Sequence, residues 1–221
     1  MTGAREEILA RVRSALPDSS TVADYSNIPR AYRQFGLLAA DAQICILKDR
    51  LADYDAQVIE VAEEKGIADA VRTAMAAVDE TRLFVPSGLP PDWTPRGVEL
   101  IAVADSAAEM DRAQAVLTGC EVAIAETGTI VLVHSAAQGR RMDTLLPDHH
   151  LCVVPRERIV ETVPEGWQAL AAFAREPLTT ISGPSATSDI EMSRIRGVHG
   201  PRRLTVLLVD CGARGHSRPR P

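Results

Sequence analysis

The segment Leu204–Val209, which reads LTVLLV, decides the fold class of this 221-residue chain. An apolar run without regular polar alternation is typical of an interior parallel strand, because helices cover both faces of such a strand. The segments that precede it alternate between strand-like and helix-like patterns. Strands are predicted at Gln57–Ala62, Arg82–Val85 and Val98–Val103, and helices at about Ala39–Ala52, Gly66–Val78 and Ser106–Leu117. This alternation predicts an α/β fold with a largely parallel sheet.

The second half of the chain continues the pattern and completes one domain. Strands are predicted at Glu121–Ala125, Thr129–His134, Leu151–Val154 and Leu178–Ser182, and a helix at Glu165–Ala174. We therefore divide the chain into three parts. Residues 1–28 form a helical arm and linker, with an amphipathic helix at Glu6–Leu16. Residues 29–210 form the α/β domain, and residues 211–221 form a basic tail that we expect to be disordered.

Composition excludes several classes of protein. Apolar residues make up 46% of the chain, which rules out a disordered or fibrous protein. We expect no membrane span, because no stretch approaches the roughly 18 apolar residues that a span requires. The N-terminus mixes both charges and is not a secretory signal, so we expect a cytoplasmic protein. The net charge of −6 argues against nucleic-acid binding, although seven arginines lie between Met192 and the C-terminus.

The four cysteines stand far apart and form no CxxC or CxxxC pair. They are Cys45, Cys120, Cys152 and Cys211. A self-contained iron–sulfur cluster or a zinc finger uses closely spaced ligands. We therefore expect no metal site and no cofactor in this chain.

Polar and glycine-rich residues are concentrated in four segments, which we expect at the carboxyl ends of parallel strands, where open α/β sheets bind ligands. The first segment, Glu126–Thr129, offers a carboxylate, two hydroxyls and a glycine, or else it is a hairpin turn. The second, Gln138–Arg141, places a glycine beside two arginines and is suited to an anion. His149 and His150 follow it. Adjacent histidines point opposite ways in a strand, so they form a poor metal pair, yet one of them is a possible acid–base group.

The third segment, Ser182–Glu191, contains Gly183, Ser185, Thr187 and Asp189 and is predicted to lead into a helix. A strand, a Gly/Ser/Thr loop and a helix N-terminus form an anion site, whereas helix capping alone explains only Ser188 and Glu191. The fourth segment, Gly197–Pro201, holds His199 between two glycines, either for function or as a structural turn. GxGxxG, the P-loop and HExxH are all absent.

The order of these segments resembles the LUD domain of the lactate utilization protein C family. The residues that carry the resemblance are AETGTIVL, QGRRMDTLLPDHHLCVV, TTISGPSATSDIE and GVHGPRRLTVLLVD. It implies a Rossmann-like, mostly parallel sheet similar to that of the ribose-5-phosphate isomerase, CoA-transferase and 5-formyltetrahydrofolate cyclo-ligase group. It also implies an association with oxidation of L-lactate to pyruvate beside two iron–sulfur partner proteins. This chain then corresponds to the cluster-free member.

The resemblance supplies pocket residues rather than a settled mechanism. The possible catalytic residues are His199, His150 and Glu126. The expected ligand-binding residues are Thr127, Gly128, Gln138, Gly139, Arg140, Ser182, Gly183, Ser185, Thr187, Asp189 and Gly200.

Three functions are compatible with these residues. The first is a cluster-free component of an iron–sulfur lactate-oxidising system that binds a small anionic ligand or a partner. The second is a stand-alone enzyme acting on a phosphorylated or CoA-linked acid, and the third is a non-catalytic scaffold. The sequence leaves open whether the chain is itself an enzyme.

Overall fold

A computed structural model describes residues 3–16, 27–101, 106–187, 195–197 and 199–210 of the chain. The chain divides into two compact units, Met1–Tyr32 and Arg33–Pro221. The first unit contains helix α1 (Ala4–Ala15), which matches the predicted amphipathic helix and has no buried residue. The predicted tail at residues 211–221 lies outside the described residues. No helix in the described part of the chain is long and apolar enough to cross a membrane.

The second unit carries the remaining elements. Its helices are α2 (Ala40–Asp53), α3 (Ile67–Ala76), α4 (Ala107–Met110), α5 (Arg141–Leu145) and α6 (Val163–Ala169). Its first six strands are β1 (Gln57–Val61), β2 (Arg82–Phe84), β3 (Glu99–Ile101), β4 (Ala115–Thr118), β5 (Val122–Ile124) and β6 (Thr129–Leu132). The other six are β7 (His149–Pro155), β8 (Ile159–Val160), β9 (Thr179–Ile181), β10 (Ala186–Thr187), β11 (Ile195–Arg196) and β12 (Arg203–Val209).

Six strands form the main sheet in the order β1-β12-β7-β4-β2-β3, and every neighbouring pair is parallel. A second sheet has the order β8-β5-β6-β9 and is antiparallel on both sides of β6. Strands β10 and β11 form a separate antiparallel ribbon. The α/β class with a parallel sheet is therefore confirmed, and Leu204–Val209 lies in an interior strand, as its sequence predicts.

The core is organised in layers on the two faces of the main sheet. Helix α2 and the inner face of the second sheet pack on one face, through residues such as Leu47, Leu51 and Ile130. Helix α3 packs on the other face, through residues such as Val71 and Met75. The outer face of the second sheet forms a smaller cluster with Leu170, which follows α6.

The helix predicted at Ser106–Leu117 is wrong beyond Met110. Ser106 and Glu109 form the expected capping box, but α4 ends after four residues. The residues that follow it include β4, whose four residues are fully buried between β7 and β2. A short apolar run carries no periodicity that separates a buried strand from a buried helix. The strand predicted at Leu178–Ser182 exists as β9, but in the second sheet.

A buried polar network runs across the amino-terminal ends of three adjacent strands. His149 on β7 contacts the Glu80 carboxylate through Nδ1 at 2.7 Å and Thr205 Oγ1 on β12 through Nε2 at 2.8 Å. Thr205 in turn donates to Gln57 Oε1 on β1 at 3.3 Å. Arg203 lies 3.7 Å from the other oxygen of Glu80. The network therefore links β1, β12 and β7 to the segment that precedes β2.

Replacement of Glu80 by Ala is expected to lower the free energy of unfolding by about 3–5 kcal/mol, because it leaves the buried His149 without its hydrogen-bond partner at Nδ1. Urea unfolding of the two proteins measures the difference. The control is Glu99→Ala, which removes an exposed carboxylate 3.5 Å from Arg112 and is expected to cost at most about 1 kcal/mol. Equal effects of the two substitutions would contradict the role assigned to Glu80.

A second buried carboxylate, Glu161, fastens the segment 33–38 to the start of α6. The N–H of Leu38 donates to Glu161 Oε2 at 2.7 Å, and Arg33 forms an ion pair with Oε1. A Cβ at Gly36 would collide with the same carboxylate. The N–H of Leu38, then Arg33 and the N–H of Leu37, lower the pKa of Glu161, although burial alone would raise it. We call residues 33–38 the strap.

Because the pKa of Glu161 in the folded protein lies below its usual value of 4.5, the ionised group stabilises the fold above about pH 4.5. That contribution is lost as the pH falls through the lowered pKa. Thermal unfolding between pH 7 and pH 3 should therefore show Glu161→Gln with a lower Tm than the parent protein at pH 7. The gap should narrow as the pH falls. A gap that stays constant across this range would contradict the role of the ionised carboxylate.

Candidate functional site

The four polar segments were expected together at the carboxyl ends of the parallel strands. The structure corrects this expectation, because they are divided between the carboxyl ends and the amino ends, here called the carboxyl edge and the amino edge of the sheet. Only the second segment lies at the carboxyl edge. The N–H of Gly88, just beyond β2, donates to Ala136 O at 2.9 Å. The N–H of Gly119, which directly follows β4, donates to Ala137 O at 3.3 Å. The loop 135–140 therefore lies over the carboxyl ends of β2 and β4.

This position is the topological switch point of the main sheet. After β2 the chain forms β3, which lies beside β2 as the outermost strand. The next strand, β4, lies on the other side of β2, and β7 and β12 extend the sheet in that opposite direction. Ligands of open α/β sheets bind in the crevice where the strand order reverses. The loop 135–140 is thus the predicted segment that the topology places at such a crevice.

Side chains hold this loop in one conformation. Gln138 is buried, and its Oε1 accepts from the N–H of Val133 at 2.5 Å. Gly139 has a φ of +69°, which a residue with a side chain adopts only with strain. The nearly buried carboxylate of Asp143 accepts from the N–H of Arg140 at 2.8 Å and from its guanidinium at 2.9 Å. The side chain of Arg140 remains 56% exposed, so a fixed cation faces solvent at this edge.

His134 is a residue of this site that the sequence analysis missed. It lies just beyond β6 and is half-buried. Its Nδ1 lies 3.0 Å from Gly139 O, and its Nε2 lies 2.7 Å from Thr179 Oγ1. A histidine directly after the apolar run at residues 130–133 was the available signal, because polar residues that follow strands often line sites.

The first segment meets the start of the third at the amino edge of the sheet. Thr127 and Thr129 share a hydroxyl hydrogen bond of 2.8 Å, and Thr129 contacts Ser182 Oγ at 2.9 Å. Gly183 has a φ of +89° and lies so close to Tyr54 that a Cβ would approach the tyrosine Cβ to 2.5 Å. Gly128 lies similarly close to Arg50. Strand β1 begins three residues after Tyr54, which places these residues at the amino ends of the strands.

The remainder of the third segment joins the fourth segment at the same edge. Ser185 donates its N–H to Pro201 O at 2.8 Å and accepts from the N–H of Gly197 at 2.9 Å. Its hydroxyl accepts from the N–H of His199 at 3.3 Å, while the His199 residue is exposed. Gly200 lies against Ser185, where a Cβ would approach the serine Cβ to 3.4 Å. Ser185 therefore fixes the loop that carries His199.

Part of the third segment is not described. Asp189 and the predicted capping pair Ser188 and Glu191 lie outside the described residues. The backbone of Thr187 belongs to β10, which pairs with β11. The predicted helix after this loop also falls on residues outside the described ranges.

The two remaining acid–base candidates have different environments. His150 is buried in β7, with Nε2 2.7 Å from Thr118 Oγ1. Burial, and after it the neighbouring His149, lowers the pKa of His150 to about 3. Such a neutral imidazole takes up a proton poorly at neutral pH, which disfavours an acid–base role. Glu126 is half-exposed and pairs with Arg33 of the strap at 3.3 Å.

Within the described residues, no group of three or more His, Cys, Asp or Glu side chains is arranged to hold a metal ion. Cys120 and Cys152 are buried free thiols. The hydrogen bond to Cys152, together with burial, raises the pKa of the Cys120 thiol well above its usual range. A protonated, buried thiol is a poor ligand and a poor nucleophile.

Comparisons with known proteins agree with this architecture. The family model of the LUD domain matches residues 4–209. The lactate utilization protein C of Deinococcus radiodurans is 50% identical over 166 residues, which are 73% of this chain and 77% of that protein. The lactate utilization protein C of Bacillus subtilis is 27% identical over 93% of this chain and 96% of that protein.

A solved structure shares the fold. The crystal structure of a DUF162 family protein from Deinococcus radiodurans has a TM-score of 0.68 and 42% sequence identity. The match covers 78% of this chain and 99% of that chain. The sequence match over residues 4–209 and the shared architecture lead to one conclusion: the chain belongs to the LUD domain family.

Proposed function

We propose that this protein is the cluster-free component of an iron–sulfur system that oxidises L-lactate to pyruvate. Its relatives from Deinococcus radiodurans and Bacillus subtilis carry the name lactate utilization protein C, which supports a role in lactate utilization. In this proposal the iron–sulfur clusters belong to partner proteins. This chain contributes a binding site for a small anion at the carboxyl edge of its main sheet.

The observation that carries the ligand-binding part of the proposal is the position of Arg140. Arg140 belongs to the loop over the switch point of the sheet, and its guanidinium is oriented by Asp143, whose carboxylate is only 4% exposed. A guanidinium held in this way binds a carboxylate without first losing its own conformational freedom. Lactate and pyruvate both carry a single carboxylate, so the site matches their charge.

In this proposal the polar residues at the amino edge of the main sheet have a structural role and do not bind the ligand. There the hydroxyls of Thr127 and Ser182 and the loop of His199 are held by contacts within the chain. We assign these residues to the support of two tightly packed loops, and we assign ligand binding to the carboxyl edge.

Replacement of Arg140 by Ala is expected to weaken binding of L-lactate or pyruvate about ten- to a hundred-fold, the effect of losing one charge-assisted hydrogen bond. Calorimetric titration measures the affinities. The matched control is Arg72→Ala, because Arg72 also pairs with an aspartate three residues away, at 3.2 Å, but on the exposed face of α3. Equal affinity of the parent protein and Arg140→Ala would refute the anion site. Selective binding of phosphoenolpyruvate or a CoA thioester would favour the stand-alone enzyme instead.

The assembly part of the proposal is tested by affinity purification of the tagged protein from its native cells grown on L-lactate. The expected result is the recovery of two iron–sulfur proteins and a brown complex whose visible absorption leaves with those partners when they are separated. Cells grown without L-lactate provide the control. Recovery of a colourless protein alone, or full lactate oxidation by the partners without this chain, would refute the assembly.

A further inference from the structure

We propose that His134 is a positioning residue that holds the peptide group between Gly139 and Arg140 in its ligand-binding orientation. The inference rests on the proposed function, because it explains how the anion site at Arg140 is kept in place. It adds a residue that lies six positions before Arg140 and acts on it through the backbone.

The peptide group between Gly139 and Arg140 is held at both of its polar atoms. His134 Nδ1 lies 3.0 Å from the carbonyl oxygen of Gly139. The N–H of Arg140, which belongs to the same peptide group, donates to Asp143 Oδ2 at 2.8 Å. Rotation of this peptide group would break both hydrogen bonds at once. The pair of contacts therefore fixes the direction in which the backbone presents the Arg140 side chain.

The chemistry of the partners determines which atom of His134 donates. A carbonyl oxygen only accepts, so Nδ1 carries a hydrogen that is directed at Gly139. Nε2 lies 2.7 Å from Thr179 Oγ1, and the hydroxyl can serve as its donor or its acceptor. The carbonyl of Gly139 thus determines that Nδ1 donates, and Thr179 on β9 holds the plane of the ring through the contact at Nε2.

The position of Gly139 makes this contact important. Gly139 adopts a φ of +69° because it has no Cβ, and for the same reason its backbone has more conformational freedom than that of a larger residue. The space beside the Cα of Gly139 is small, since an added Cβ would lie 3.2 Å from Asp143 Oδ2 and 3.4 Å from Pro86. A glycine loop needs external hydrogen bonds to remain in one conformation, and His134 supplies the bond to the carbonyl.

The test compares His134→Asn with His134→Leu in the full-length protein. The side-chain nitrogen of asparagine occupies nearly the place of Nδ1 and still donates to Gly139, whereas leucine removes the donor. Titration with L-lactate and pyruvate should show His134→Asn within about threefold of the parent protein. His134→Leu should bind about tenfold or more weakly, the factor that corresponds to one hydrogen bond. In NMR spectra the backbone N–H resonance of Arg140 should move in His134→Leu and stay near its original place in His134→Asn.

Two further variants separate positioning from general instability. Thr179→Val keeps the Nδ1 donor but loses the hydroxyl that holds the ring at Nε2, so it should weaken binding by a smaller factor than His134→Leu. This variant also serves if the leucine variant does not fold. Thr162→Val loses the cap of α6 and should lower Tm without changing affinity. The inference is overturned if His134→Leu, or Thr179→Val in its place, binds as the parent does, or if His134→Asn binds no better than His134→Leu. Failure of the parent protein itself to bind either acid would overturn the proposed anion site together with this inference.

Discussion

A carboxylate buried at the amino-terminal end of the main sheet is the constraint on which the rest of the structure depends. Glu80 is bound by His149, which also contacts Thr205, so that one network fixes β7 against β12 and against the segment before β2. A slip of β7 by one residue would turn His149 to the other face of the sheet and leave Glu80 without its partner. Because the strands are parallel, the same register also determines which residues meet at the carboxyl edge.

Much of the fold was predictable because hydrophobic patterns report burial directly. The apolar run at Leu204–Val209 indicated an interior parallel strand, and β12 is one. The pattern failed at β4, since four buried residues after a capped helical turn look the same as one longer helix. It also could not show that β5, β6 and β9 form a second sheet, because sheet membership depends on long-range pairing rather than on local residue type.

The same limit explains why the site was predicted only in part. The sequence identified the Gln138–Arg140 loop from its residue types, and the structure places this loop at the switch point of the sheet. It grouped Ser182, Ser185 and His199 with that loop, although they lie at the opposite edge. His134 was overlooked because no motif pairs a histidine with a glycine carbonyl five residues on, and its other contact, Thr179, is 45 residues away. A lone histidine after a strand has no motif that marks it as part of a site.

The strap determines where the N-terminal part of this protein can be cut or replaced without removing the partners of a buried charge. The buried acceptor at Glu161 requires the N–H groups of Leu37 and Leu38, so the body of the protein includes residues well before its first strand. None of the donors to this carboxylate lies upstream of Arg33. A chain shortened to Ala39 would leave a carboxylate buried without its donors. An N-terminal truncation or fusion that keeps the strap intact must therefore be made before Arg33, a limit set by one acidic side chain more than a hundred residues away.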